Sequence, residues 1–425
     1  MSQIDLGPAT KDARPLLDLL VAYLNEREPT LTFDERASES IVAFARKQGV
    51  STIVAYLAAR NPALFASRRA NDALSRDLYR AVAMETLQTK EFELVNETFR
   101  AQNVRFLPLK GFLMRSLYQE PYLRLMGDYD ALAHPDDFER AAAIVKDLGF
   151  QFNDSDECHY SFHKDPGLVL ELHFALFEES SPFFRPKPYP WERLVPFRGS
   201  EFRFTNEDFY AFAIEHFIKH WITGECSLRS FFDLAVYWKK KSDVLDISRV
   251  ELELERTNAL AFARSLARLR DVLFDDKPTD AATNEAASYL FGLHSLRESS
   301  AFSRDARYAV RLAMDVATSR SRFPRLRYFA ANVFPKRVSM RIKREVEGKP
   351  ALVRAWKTLT AWCAFTVKRV FSANFFKNVA ALFRAKQDKS KEISAFFSRT
   401  GLDEQVWRQA SLKEKYDDSS RNEEL

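Results

Sequence analysis

Three short segments carry residues able to do chemistry: Leu109-Lys110-Gly111, then Arg124-Leu125-Met126-Gly127-Asp128-Tyr129-Asp130, then Leu170-Glu171-Leu172-His173. Asp128 and Asp130 bracket one residue, so on a strand both carboxylates point to one face while Tyr129 faces the other. Glu171 lies between two leucines in another strand-like run, and leucines facing a core would turn it outward as a third carboxylate. Three carboxylates converging on one point repel one another unless a cation lies between them. Mg²⁺ prefers carboxylate and phosphate oxygens and is held by one or two protein carboxylates plus the substrate's phosphates. The pattern therefore reads as metal-assisted chemistry on a nucleotide. A lone Asp-x-Asp would mean no more than a wet strand face, and its weight here comes from the neighbouring segments.

Such residues need a sheet and helices to hold them. A long helix is expected from about Ser75 to Ala101, where Leu78, Val82, Leu87, Phe92, Val95 and Phe99 keep the helical period without Pro or Gly. It leads into a strand over Val104 to Leu109. Gly111 marks the turn into a helix from Phe112 to Tyr118, which Pro121 closes. The next strand covers Asp128 to Ala133. Pro135 opens a helix with Asp136, Asp137 and Glu139 in its first turn and Gly149 at its far end. His159 to His163 and Leu168 to Phe174 read as strands joined at Asp165-Pro166-Gly167. Five prolines from Pro182 to Pro196 mark an irregular connection, followed by a short hairpin about Gly199. Two amphipathic helices separated at Gly224 fill Asn206 to Lys239, and the rest, to Arg399, reads as helix.

The chain of 425 residues is long enough for two or three domains. Only 11 Gly and 17 Pro argue against a glycine-rich all-β architecture. The expected class is α+β and mostly helical, with a small mixed sheet flanked by helices and a helical C-terminal region. The divisions are an N-terminal helical segment (1–74), an α/β domain (75–205), a helical domain packing on the site (206–300), a basic helical region (301–400) and a polar, flexible tail (401–425). Cys158, Cys226 and Cys363 are far apart and in no CxxC spacing, which excludes a disulfide framework or a structural zinc module and suits a reducing cytoplasm. The first residues lack a secretory pattern, and no apolar run approaches the 18 or so residues of a membrane span.

The net charge of +5 hides an asymmetry. Arg304 to Lys389 holds roughly 20 basic residues against about 5 acids, a region that could attract nucleic acid or an anionic membrane surface, or simply display solvated side chains. Within it Trp356, Leu359, Trp362, Cys363, Val367 and Val370 form an apolar stripe, a buried face or a peripheral membrane contact.

Taken in order, Leu109-Lys110-Gly111, Tyr118, Arg124, Met126-Gly127-Asp128-Tyr129-Asp130 and Glu171-Leu172-His173 resemble the uncharacterised nucleotidyltransferase branch of the DNA polymerase β-like superfamily. The resemblance runs from about Leu78 to Trp238. It implies the nucleotidyltransferase type of mixed sheet and an Mg²⁺- or Mn²⁺-dependent transfer of NMP from an NTP such as ATP to a hydroxyl of an unidentified acceptor, with pyrophosphate leaving. By that resemblance Asp128 and Asp130 hold the metal ions, and Glu171 helps hold the second and deprotonates the acceptor. Lys110, Gly111, Arg124 and Gly127 lie on the nucleotide side. Better-studied members carry Gly-Ser where Lys110-Gly111 stands, and many have Asp where Glu171 stands. An inactive nucleotide-binding or docking protein is therefore the alternative. A metal-dependent glycosyltransferase fits less well, because that chemistry normally sits in a larger parallel sheet.

His173 shares a strand face with Glu171 and could orient it or meet phosphate. His159, His163 and His173 could mimic a metal cluster, although imidazoles on a polar sheet face need no metal. His216 and His220 stand i, i+4 on a helix, with Arg229 and Asp233 beyond. They are candidates for the acceptor side, or for an interior polar network joining helix to sheet.

Overall fold

A computed structural model of the protein describes residues 10–155, 158–177, 191–223 and 226–298, together with Val353, Trp356, Thr360 and Arg399. The expected basic region and polar tail lie outside the described residues, apart from those last four, as does the Gly224 break.

Three helices open the chain: α1 (Thr10–Leu24), α2 (Glu35–Lys47) and α3 (Ser51–Arg60). Asp34 caps α2 by accepting from the Ala37 N–H at 2.8 Å. Helix α4 (Arg68–Ala101) begins about two turns before its expected start, because Ser67 accepts from the Ala70 N–H and caps it there. It delivers the chain to β1 (Phe106–Pro108), shorter at both ends than the expected Val104 to Leu109. Helix α5 (Lys110–Arg115) starts directly after Leu109 and stops before Tyr118. Then follow β2 (Tyr129–Ala133), α6 (Phe138–Asp147), β3 (Gln151–Ser155), β4 (His159–Lys164), β5 (Leu168–His173), β6 (Val195–Arg198) and β7 (Glu201–Arg203). Five helices close the described chain: α7 (Asn206–Thr223), α8 (Leu228–Lys241), α9 (Ile247–Arg256), α10 (Leu260–Phe274) and α11 (Ala281–Glu298).

The protein is mostly helical, and the described residues form one mixed sheet of seven strands in the order β3-β4-β5-β2-β1-β7-β6. The pairs β2–β5 and β1–β7 are parallel and the others antiparallel. The hairpin about Gly199 is present, with φ +56° at that glycine. Strand β3 was not expected, and its sequence explains why: Gln151-Phe152-Asn153-Asp154-Ser155 is an exposed polar edge with no buried face to impose apolar alternation.

Alternation along the central strands divides the interior. Tyr129, Ala131 and Ala133 of β2 join Leu168, Leu170 and Leu172 of β5 in a core closed by Phe92, Val95 and Phe99 of α4 and by α6. Leu107 and Leu132 face the other way, into a larger core built by α1–α3 and α7–α11. Asp130 and Glu171 therefore open toward the side where α7 passes. Among the described residues, no helix is long and apolar enough to cross a membrane.

Candidate active site

The parallel register of β2 and β5 sets Asp130 beside Glu171 and Leu132 beside His173. The period of two brings Asp128, just before β2, round to the face of Asp130, while Tyr129 is fully buried on the opposite side, donating to Asn96 from its hydroxyl. The backbone N–H of Leu109 donates to the Asp130 carbonyl at 2.9 Å, which ties the start of α5 to the same point.

Lys110, the first residue of α5, puts its ammonium 3.9 Å from Asp130 Oδ2 and against the His216 ring of α7, donating to Nε2. His220, one turn further along α7, lies 3.2 Å from His216. His173 Nε2 faces Asp130 Oδ1 at 3.4 Å and Glu171 Oε2 at 3.6 Å, and His159 Nε2 is 3.5 Å from Glu171 Oε1. His163 stands apart from these groups, exposed further along β4.

Burial and mutual repulsion govern the ionisation of the site. Burial pushes the Asp128 carboxyl up to about 6, and neighbouring Asp130 adds to the shift. Asp130 is more deeply buried, yet the Lys110 ammonium and His173 hold it below the usual carboxylate range. Burial lowers Lys110, although Asp130 and Asp128 oppose this. His216 is driven well below the ordinary imidazole range by burial first and then by Lys110 and His220.

The loop before Asp128 is pinned at four consecutive carbonyls by side chains from four helices. Thr52 of α3 donates to Leu123 O at 2.6 Å, Arg115 of α5 to Arg124 O at 3.2 Å, Arg229 of α8 to Leu125 O at 3.1 Å, and Gln88 of α4 to Met126 O at 2.9 Å. Gly111 allows the close approach of this loop, since a Cβ there would meet Met126 Sδ at 3.1 Å. Around Gly127 there is open space. This leaves the peptide just ahead of Asp128 rigid and accessible.

Arg124, expected at a phosphate, has another partner. It is buried in a forked pair with Asp233, with both contacts at 2.9 Å, and also donates to the Gly111 carbonyl at 3.2 Å. Asp233, expected on the acceptor side, accepts further from the Tyr118 hydroxyl at 2.7 Å. A buried guanidinium requires a counter-charge, and α8 supplies one where the loop packs against it. His216 and His220 join helix to sheet through Lys110. Sequence reasoning missed Thr52, Gln88 and Arg115. A polar residue within a helix signals nothing until packing shows which backbone group it meets.

The donor set suits a hard or borderline divalent cation. The ligand atoms of Asp130, Glu171 and His173 all lie within 4.8 Å of one another, and Asp128, with its raised carboxyl, shares their face.

A family model described as uncharacterised nucleotidyltransferase matches residues 34–275 of this chain. Among solved structures, the solution structure of the antibiotic-resistance factor ANT(2'')-Ia is similar, at 14% sequence identity and a TM-score of 0.30, over 44% of this chain and 97% of its own. No curated protein matches the chain.

Proposed function

The chain belongs to the uncharacterised nucleotidyltransferase family, and from that premise we propose that it transfers NMP from an NTP to an acceptor hydroxyl in a reaction dependent on a divalent cation. The observation that carries this reading is the meeting of Asp128, Asp130 and Glu171 on one face across the β2–β5 pair, with the Lys110 ammonium beside them.

Asp128, Asp130 and Glu171 would hold the cation, with Mg²⁺ or Mn²⁺ matching the carboxylate oxygens. Once bound, the cation supplies charge neutralisation for the phosphates and for the oxygens of the in-line displacement. The acceptor oxygen attacks the α-phosphorus, the bond to the bridging oxygen of the β-phosphate breaks, and pyrophosphate departs. Glu171 accepts the hydroxyl proton. Lys110 neutralises negative charge on the triphosphate, and the pinned loop through Gly127 keeps backbone rather than side chain near it. Arg124 and Asp233 act as positioning residues beneath the loop. The side of the sheet that faces α7 and α8, where His216, His220 and Arg229 lie, is the proposed acceptor side.

The 3.9 Å approach of Lys110 to Asp130 supports a second reading, nucleotide binding without transfer, because the lysine already neutralises one of the carboxylates. Thermal stability of the wild type and of Asp128→Ala/Asp130→Ala, scanned against four NTPs with Mg²⁺ or Mn²⁺, tests the site. Cation-dependent stabilisation by an NTP that disappears in the double variant is expected. No stabilisation of the folded wild type by any nucleotide overturns the proposal, and binding without turnover toward any acceptor favours the second reading.

A further inference from the structure

His173 ends β5 two residues after Glu171, on the same strand face. Its Nδ1 is turned to the Ala175 carbonyl at 3.4 Å. A carbonyl only accepts, so the tautomer a cation would bind, with the proton on Nδ1 and the lone pair on Nε2, has a partner for that proton. Without a cation, and against the effect of burial, the hydrogen bonds to Asp130, Cys158 and Glu171 raise His173 well above the ordinary imidazole range and favour the imidazolium. Nε2 faces two carboxylate oxygens, at 3.4 Å from Asp130 and 3.6 Å from Glu171. Both separations, like the one to Ala175, are longer than the usual charge-assisted hydrogen bond. They match the spacing of neighbouring ligand atoms around one ion, about 2.9–3.6 Å for bonds of about 2.0–2.2 Å in octahedral or tetrahedral sites. Imidazoles that bind metals usually donate their other N–H to a carbonyl or carboxylate, the arrangement His173 has with Ala175.

The wall behind His173 points the same way. Donor atoms of Cys158 and His159 also lie within 4.8 Å of a donor of His173, adding sulfur and nitrogen where Mg²⁺ would favour only oxygen.

We infer that His173 Nε2 is a ligand of the cation held by Asp130 and Glu171, which makes this a mixed nitrogen and oxygen site selecting Mn²⁺ over Mg²⁺. The inference rests on the carboxylate site proposed above. Imidazole nitrogen binds first-row transition ions, whereas Mg²⁺ keeps to oxygen and water. The competing arrangement is an imidazolium clamp, in which a proton on Nε2 bridges the two carboxylates.

Pulsed electron paramagnetic resonance of Mn²⁺ bound to the full chain, alone and with inorganic triphosphate, separates the two. Neither probe carries nitrogen, so any ¹⁴N modulation comes from protein. The expected result is ¹⁴N modulation in the wild type, replaced by the ¹⁵N pattern after [¹⁵N]histidine labelling, absent in His173→Gln and retained in His159→Gln. In calorimetric titrations His173→Gln should weaken Mn²⁺ binding roughly tenfold and change Mg²⁺ binding by less than about twofold. Isotope labelling needs no substitution, so a variant that fails to fold leaves the test intact. Bound Mn²⁺ without histidine nitrogen, or modulation that survives in His173→Gln, overturns the inference and leaves the carboxylate site standing. No Mn²⁺ binding under either condition overturns both.

Discussion

Arg124 and Asp233 form a forked ion pair in the interior, Nε to Oδ1 and Nη2 to Oδ2, each at 2.9 Å, with only 6% and 9% of their side chains exposed. The pair joins α8 to the loop that carries Asp128. Burial works against the Arg124 charge, and Asp233 restores it so fully that the guanidinium is held more tightly protonated than in water. The loop ahead of Asp128 is therefore held from beneath by this buried pair.

Asp233→Ala should lower unfolding stability by about 3–5 kcal/mol, because it leaves a buried guanidinium uncompensated. Arg124→Met/Asp233→Leu should recover most of that loss, since neither charge then remains to be desolvated. Urea unfolding of the three proteins at one pH measures both effects. If Asp233→Ala unfolds like the wild type but loses acceptor-dependent turnover, Asp233 belongs to the acceptor side after all.

The raised carboxyl of Asp128 makes stability depend on pH. Its folded value is about 6, against about 3.9 in an unfolded chain, so the folded state holds the proton more tightly. The contribution of Asp128 to stability is complete below about pH 4 and is lost as pH rises through about 6. Asp128→Asn should accordingly be more stable than the wild type at about pH 8, by on the order of 1–3 kcal/mol, with the gap closing toward about pH 4. Thermal melts without divalent cation across that range decide the matter. A constant gap would show that the carboxyl is not perturbed. Added Mn²⁺ should reverse the order, stabilising only the wild type.

Lys110 and His216 should titrate together. The ammonium lies against the His216 ring, and burial followed by Lys110 keeps that ring neutral far below its ordinary range. Lys110→Met removes the positive neighbour, so the His216 pKa should rise, followed by nuclear magnetic resonance of the histidine rings. The same variant should weaken NTP binding roughly tenfold or more, as expected for the loss of one charge-assisted hydrogen bond. An unchanged His216 titration would rule out the coupling.

Local periodicity was enough to determine much of this protein. The two-residue spacing of Asp128 and Asp130 set both on one face, and Leu170 and Leu172 turned Glu171 away from the core. The hairpin at Asp165-Pro166-Gly167, the helix leading to β1 and the mostly helical α+β class were legible in the same way, because strand and helix periods act over a few residues. The edge strand β3 was not, since an exposed polar edge carries no apolar alternation. Only the tertiary structure decided which charges meet. Asp233 reaches Arg124 across 109 residues of chain, Gln88 reaches the Met126 carbonyl across 38, and His216 comes to Lys110 across 106. A buried charge or carbonyl takes whatever partner packing presents, because leaving it unsatisfied costs more than any local preference. Residue type could thus name the carboxylates that gather at the site, while packing alone paired Arg124 with Asp233 and set His173 beside Asp130.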